Sequence, residues 1–442
     1  MKRKEFLKWL AGGAIAASVA VAFVLPCAAD ELAQNCHEKT ELAHALLMSN
    51  FVSSAGHLIE YVGELPTPED CARCFPNGNG YHTPISNGSM FTGTYLGACI
   101  ARAARLRGTP GGGAAADEVR RLARGLLHLA FVSDVPGMVA RGVGTDGRCH
   151  YASGTVDQTL PWLMGLRAYV RSPFCPEGEK AKVRAKMLEV IRAVEKLGWR
   201  IPADGAFKGQ SFGGLLDEGL SWNGGTLAFR ASVHYLFLLR VAYELSGDPS
   251  DRAKYLAARD GKYPKLDLTR LEILERGWEI DAKDFPCEKD VMWIYVATQE
   301  MLVELIRAED DPHVAARYRK GLEYNARRAR PQMANARTFD NRRENPFKFA
   351  NWRTGYAWRP QKTLDDALVV ARTGNAKILG SRKDYLRHCM STPLSAAAIC
   401  AIAGLYHDEV RATICAYDYR QIEICEFFLA EVANEWMINS TR

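Results

Sequence analysis

The sequence predicts an all-α protein, an (α/α)6 toroid of six helical hairpins in two concentric rings around a funnel. Three observations predict it. Apolar residues recur at helical spacing along almost the whole chain, and strand alternation is nearly absent. The helical stripes number about twelve, enough for six pairs. The linkers between them tend to be long after odd-numbered helices and short after even-numbered ones. In a ring of antiparallel hairpins all odd-numbered exits leave on one face, so that face collects the long loops, and long loops without structure of their own are usually functional. An open solenoid would instead repeat at a fixed period, and no motif recurs.

In chain order, the stripes place helices over 38–63, 88–107, 114–132 and 157–171. Val183, Met187, Val190, Ile191, Val194 and Leu197 then line one face of 178–198. Further stripes cover 225–246, 267–279, 289–308, 311–329, 363–375, 379–405 (broken near Thr392-Pro393) and 409–437. The long loops are 64–87, 133–156, 199–224 and 330–362, and the short ones are Gly108–Gly113 and Ser172–Glu177. Segments 247–266 and 280–288 depart from the alternation. One domain over 30–442 is the expected organisation. A division near 248–266, which is polar and weak in helical pattern, is the alternative.

The chain has 442 residues, 48% apolar and 24% charged, as in ordinary globular proteins. Its formal charge of +6 includes a net +3 from Lys2, Arg3, Lys4 and Lys8 against Glu5. The remainder is close to neutral and lacks a basic stripe interleaved with aromatics, which argues against a nucleic-acid binder. That basic start, the apolar run Trp9–Pro26 and the small residues Cys27-Ala28-Ala29 read as an export signal over 1–29, cleaved after Ala29. Arg3-Lys4 departs from a twin-arginine pair. The alternative is an uncleaved anchor, the one route by which this chain would meet a membrane. A periplasmic or secreted location follows. Export permits disulfides, and among twelve cysteines Cys71-Ala-Arg-Cys74 is the best local candidate. With no second CxxC, a structural zinc site is not expected. Cys99, Cys400, Cys415 and Cys425 sit in apolar stripes and read as buried thiols.

The densest polar and aromatic stretch runs from Arg141 through Asp146, His150 and Tyr151 to Asp157, Gln158 and Trp162, across a long loop and the next helix start. Asp157 has the chemistry of a general acid and base; the same residue there would also serve as a helix N-cap. Asp217-Glu218, before the sixth helix and ahead of Trp222, supplies a second carboxyl on the same face, where one charge raises the pKa of the other. A solvated acidic turn is the plainer reading. Arg141 is a fixed donor fork suited to a carboxylate. His150 and Tyr151 have the chemistry of a lyase pair. Trp162, Trp222, Trp352 and Trp358 are candidate platforms for sugar faces, with Trp162 and Trp222 also fitting the core.

Asn87-Gly88-Ser89-Met90, Asp157-Gln158 and the segment Asp217–Gly225 open or precede the second, fourth and sixth helices. With the helix order, they give a chain that resembles the six-hairpin glycosidase-like superfamily, broadly the unsaturated glucuronyl hydrolases and related (α/α)6 carbohydrate enzymes. The resemblance implies Asn87 and Gln158 as substrate contacts, and an Asp157 that protonates an enol ether and activates water. The expected function is an exported glycoside hydrolase acting on a uronic-acid-containing oligosaccharide or polysaccharide, without metal or other cofactor. The alternatives are a polysaccharide lyase on the same scaffold, with His150 and Tyr151 central, and a non-catalytic glycan-binding protein.

Overall fold

Helix α1 (30–50) opens the computed structural model, which describes residues 30–216, 227–264, 266–281, 292–342, 351–354, 358–378 and 380–440. There follow α2 (Pro68–Ala72), α3 (Gly88–Arg105), α4 (Gly112–His128), α5 (Val156–Arg171), α6 (Glu177–Lys196), the strands β1 (Arg200–Pro202) and β2 (Ser211–Gly214), and α7 (Ala228–Ser246). Next come α8 (Pro249–Asp260), α9 (Arg270–Arg276), α10 (Trp293–Ala308) and α11 (Pro312–Ala329). The chain ends with α12 (Leu364–Ile378), α13 (Gly380–Leu386), α14 (Thr392–Ile402), α15 (His407–Cys415) and α16 (Leu429–Ser440). The protein is all-α; the two strands form one short antiparallel pair.

Six helices pack in a succession that returns on itself. α3 lies on α5, α5 on α7, α7 on α10, α10 on α14, α14 on α16, and α16 on α3. These are the apolar members: every residue of α14 is buried, as expected of a helix surrounded by others. The more polar helices cover them. α4 packs on α3 and α5, α6 on α5 and α7, α9 on α7, α11 on α10 and α14, and α15 on α14 and α16. α3 and α5 come closest because glycines face each other. A Cβ on Gly93 would lie 2.2 Å from the Pro161 carbonyl oxygen, and one on Gly165 would lie 2.8 Å from the Gly93 carbonyl oxygen.

Several expected boundaries move. The first helix ends at 50, not 63, because the chain turns at Gly56 (φ +88°) and runs on extended, with Val52 bridged to Leu58 and Tyr61 to Ile424. The stripe 409–437 is two helices, α15 and α16, parted where Asp418 caps a turn and Tyr417 and Tyr419 are buried. Segment 248–266 contains α8, opened by Asp248 accepting from the Ser250 amide with Pro249 in the first turn. Only Asp251 and Tyr255 of α8 are buried, so its stripe was too thin to read. α8 packs on α7, and the Tyr255 hydroxyl donates to Glu309 at 2.8 Å. One apolar core extends from Cys36 to Met437.

The long loops interlock. Arg353 pairs with Glu64 at 3.1 Å and Asp70 at 2.5 Å. Gly78 N–H donates to Gln361 at 2.7 Å, and Leu364 N–H to Gln210 at 3.0 Å. Thr145 N–H donates to the Pro66 carbonyl at 2.9 Å, and Asp204 N–H to the Ala152 carbonyl at 2.9 Å. The Cys71 thiol meets Cys149 of the next long loop, not Cys74. Likewise Cys36 of α1 meets Cys415 of α15. Cys99, Cys400 and Cys425 are buried free thiols, while Cys415 is half-buried.

His44 fastens α1 to its neighbours. Its Nδ1 lies 2.9 Å from the Tyr95 hydroxyl and 3.0 Å from Glu431, and its Nε2 lies 3.1 Å from Glu118. Burial opposes the charged ring, but the bonds and charge of Glu118 and Glu431 outweigh it and raise the His44 pKa to about 9. An unfolded histidine titrates at about 6.5. The folded state therefore holds the extra proton, and the stabilisation, full below about pH 6.5, is lost as pH rises through 9. The variant His44→Gln should lower the melting temperature at pH 6 and lose much less at pH 9.5. A melting-temperature profile across that range checks it.

Candidate active site

Asp157, Arg141, Asn87 and Gln158 come together at one end of the helix assembly, and the residues joining them form a continuous polar chain. Thr155, not Asp157, occupies the N-cap position of α5. Asp157 lies in the first turn, half-buried, and its side chain caps nothing. The Thr155 hydroxyl donates to Asp157 Oδ1. Arg141 donates from Nη2 to Thr155 Oγ1 at 3.2 Å and to the Tyr81 hydroxyl at 3.2 Å, and from Nη1 to the Ser86 carbonyl at 2.9 Å. Its guanidinium also sits 4.5 Å from the centre of the Tyr81 ring. Arg141 is 1% exposed, and among the described residues no carboxylate lies within ion-pair distance of it.

The chain continues inward through α3. Asn87 stands at the α3 N-cap position without capping. Its amide donates to Glu60 Oε2 at 3.2 Å, and its carbonyl accepts from Gln158 Nε2 at 3.1 Å. The Ser86 hydroxyl and the Lys383 ammonium also donate to Glu60. Arg387 lies 3.7 Å from Glu60 and 4.0 Å from Glu426, which accepts from the Ser391 hydroxyl. Glu60, Lys383 and Glu426 are fully or almost fully buried. Burial alone would push the Glu60 carboxyl up, but the charges of Lys383 and Arg387 outweigh it and hold it down at about 2. Burial, aided by the charge of Arg387, pushes the Lys383 ammonium down. His82, half-buried beside them, is pushed down to about 3 by burial and the charge of Lys383, so its ring is neutral at neutral pH. Trp293, at the start of α10, lies 6.0 Å from the Arg387 guanidinium and is half-buried.

His150 and Tyr151 are fasteners between loops. His150 Nε2 lies 2.7 Å from Asp204, and Nδ1 lies 2.9 Å from the Arg148 carbonyl. Burial opposes protonation of His150, yet Asp204 raises its pKa. The buried Tyr151 ring covers Gly80, and its hydroxyl donates to the Phe75 carbonyl at 2.6 Å. Burial drives the Tyr151 phenol well above its ordinary pKa, and its one proton is committed to the backbone.

The tryptophans divide differently from expectation. Trp162 is fully buried, and its indole N–H donates to the Leu126 carbonyl at 2.8 Å, so it is core rather than platform. Trp352 is 2% exposed and donates to the Glu64 carbonyl at 2.8 Å, with the Arg353 guanidinium 4.2 Å from its ring centre. Its face is thus covered by its own neighbour. Trp358 is half-buried, with Arg73 4.8 Å from its ring centre. Asp217, Glu218 and Trp222 lie outside the described residues.

Sequence reading missed Glu60, Lys383, Arg387, Tyr81, His82 and Trp293. Two signals were available. Glu60 is a lone carboxylate in the apolar stretch Leu58-Ile59-Glu60-Tyr61-Val62, and Lys383 and Arg387 stand four apart, on one helix face. Among the described residues no group of three or more His, Cys, Asp or Glu is placed to hold a metal ion, and no helix is long and apolar enough to cross a membrane. In comparison with known proteins, the chain matches no family model, no curated protein and no solved structure.

Proposed function

We propose that this chain is an exported carbohydrate-active enzyme, an (α/α)6 toroid that hydrolyses a uronic-acid-containing oligosaccharide with Asp157 as its acid. The ring reading is supported by the closed succession α3, α5, α7, α10, α14, α16 and the outer helices packed against it. Along the chain the outer helices α1, α4, α6, α9, α11 and α15 alternate with the inner α3, α5, α7, α10, α14 and α16. The observation that carries the chemical reading is the chain Asp157–Thr155–Arg141–Tyr81, set where the long loops meet. It holds a half-buried carboxyl at the start of an inner helix, and Arg372 and Arg387 bring further positive charge toward the same region. Such a field favours an anionic sugar. Asp157 donates a proton to the departing glycosidic oxygen, or to the double-bond carbon of an enol ether, and then takes one from the water that adds to the resulting oxocarbenium carbon. Asp217 is the second carboxyl of this reading. Trp293 offers a ring face for a sugar.

A panel of uronic glycans, saturated and unsaturated, tests the reading. Hydrolysis of a saturated chain raises reducing ends without new ultraviolet absorbance, and attack on an unsaturated uronide removes the absorbance already present. A rise in absorbance would mean elimination and overturn the hydrolase. A panel bound but wholly uncut would leave a glycan-binding protein.

A further inference from the structure

A cavity lies away from the Asp157 site, toward the other end of the same helices. The site above uses the starts of α3, α5 and α10; this cavity is lined by their middle and later turns and by the end of α16. Its volume is about 430 Å³, room for a small organic molecule. Ile100, Met164, Gly97 and Gly165 give it apolar walls, and Trp436 closes one side.

The charges around it balance, with one exception. Glu304 receives Arg167 and Arg307 at 2.7 Å or less, and Arg171 at 3.2 Å. Arg167 also pairs with Glu244 at 2.7 Å. Glu435 receives Arg105 at 2.7 Å. Glu300 has no cation within ion-pair distance among the described residues. Its Oε1 accepts from the Trp436 indole N–H at 2.9 Å, and its Oε2 is buried without a hydrogen-bond partner. Glu300 lines the cavity and is only 5% exposed. An orphaned buried carboxylate oxygen carries a large desolvation cost, which a proton relieves and a cationic donor can relieve in its place.

We propose that this cavity binds a primary alkylammonium ion, its nitrogen on Glu300 Oε2 and its carbon chain against Met164 and Ile100. A divalent metal does not fit, because one carboxylate among paired neighbours is too poor in ligands. An anion does not fit, because every guanidinium at the wall already has its carboxylate. Burial and the charge of Glu304 raise the Glu300 pKa to about 8, against the Trp436 bond and Arg307. The ammonium therefore displaces a proton, and its affinity rises with pH between 6.5 and 8.5. The other charged groups facing the cavity are Arg167 and Arg171 of α5, Glu304 and Arg307 of α10 and Glu435 of α16; each stands in an ion pair, and burial pushes the Glu435 carboxyl up against the pull of Arg105.

Titration calorimetry of the full chain with butylammonium and with neutral butanol tests the assignment. The wild type should bind butylammonium saturably, more tightly at pH 8.5 than at 6.5, and butanol at least tenfold more weakly. Glu300→Gln should lose at least tenfold in butylammonium affinity. Gly97→Leu provides a second variant that retains the carboxyl: a Cβ there meets nothing within 4 Å, so the new side chain fills the cavity and abolishes binding. Neither change touches the Asp157 site, so glycan turnover should persist in both. Undiminished binding by Glu300→Gln, equal binding of butanol, or no saturable butylammonium binding would each overturn it.

Discussion

Replacing Glu60 by alanine should destabilise the protein by about 3–5 kcal/mol, the usual cost of breaking a buried ion pair from one side. The variant strands two cations. Lys383 is 2% exposed, and Arg387 has its nearest remaining carboxylate, Glu426, at 4.0 Å. It also leaves the Ser86 hydroxyl and Asn87 amide without their shared acceptor. The double change Glu60→Leu with Lys383→Met removes the more deeply buried of the two stranded cations and should recover part of the loss, because a buried pair is worth little more than an apolar one of similar volume, while Arg387, Ser86 and Asn87 stay without their acceptor. The pH dependence has a definite sign. Glu60 titrates near 2 when folded and, like any glutamate, at about 4.3 when unfolded. Its contribution is present above about pH 4.3 and drains away as pH falls toward 2. Glu60→Ala should therefore differ most from wild type near neutrality and least in acid. Chemical unfolding at several pH values measures this, and a loss below 1 kcal/mol at pH 7 would mean the pair does not hold the segment together.

The helical character was legible because burying one face of a helix imposes a period on sequence, and that period survives wherever the face is apolar. α3, α5, α6, α10 and α11 lie close to where their stripes placed them. α8 was illegible because it buries only two residues. The extended run after α1 looked helical because a buried strand and a buried helix present the same apolar run. Asp157, Asn87 and Gln158 were found because they stand at helix starts, which motifs mark, and Arg141 because it lies in the polar loop that leads to one of them. Glu60, Lys383 and Arg387 were not, since a charge within an apolar pattern declares itself only when its partner, some 320 positions away, is known. The roles expected of Tyr151, Trp162 and Trp352 rested on residue type alone. Burial, which no spacing revealed, committed all three to the backbone.

Asp157→Asn should reduce turnover of a cleaved uronic glycan by roughly 100-fold or more, the lower range of a positioned acid–base group, at little cost in stability. Thr155 holds the N-cap position and the Asp157 side chain caps nothing, so no cap is lost. The asparagine oxygen still accepts from the Thr155 hydroxyl, which in turn accepts from Arg141. What disappears is one negative charge in the first turn of α5, worth about 0.3–1 kcal/mol against the helix dipole. The proton-donating group disappears with it. Activity and stability thus separate: the stability change is small in either case, but a residue that merely favoured the helix end would keep turnover near wild type, whereas the acid loses it. Binding of the glycan should persist in the variant, which separates a lost proton donor from a lost binding site. Turnover near wild type on a verified substrate would remove Asp157 from the chemistry. It would leave Asp217 to carry the proton, with Asp157 only shaping the electrostatics of the helix start.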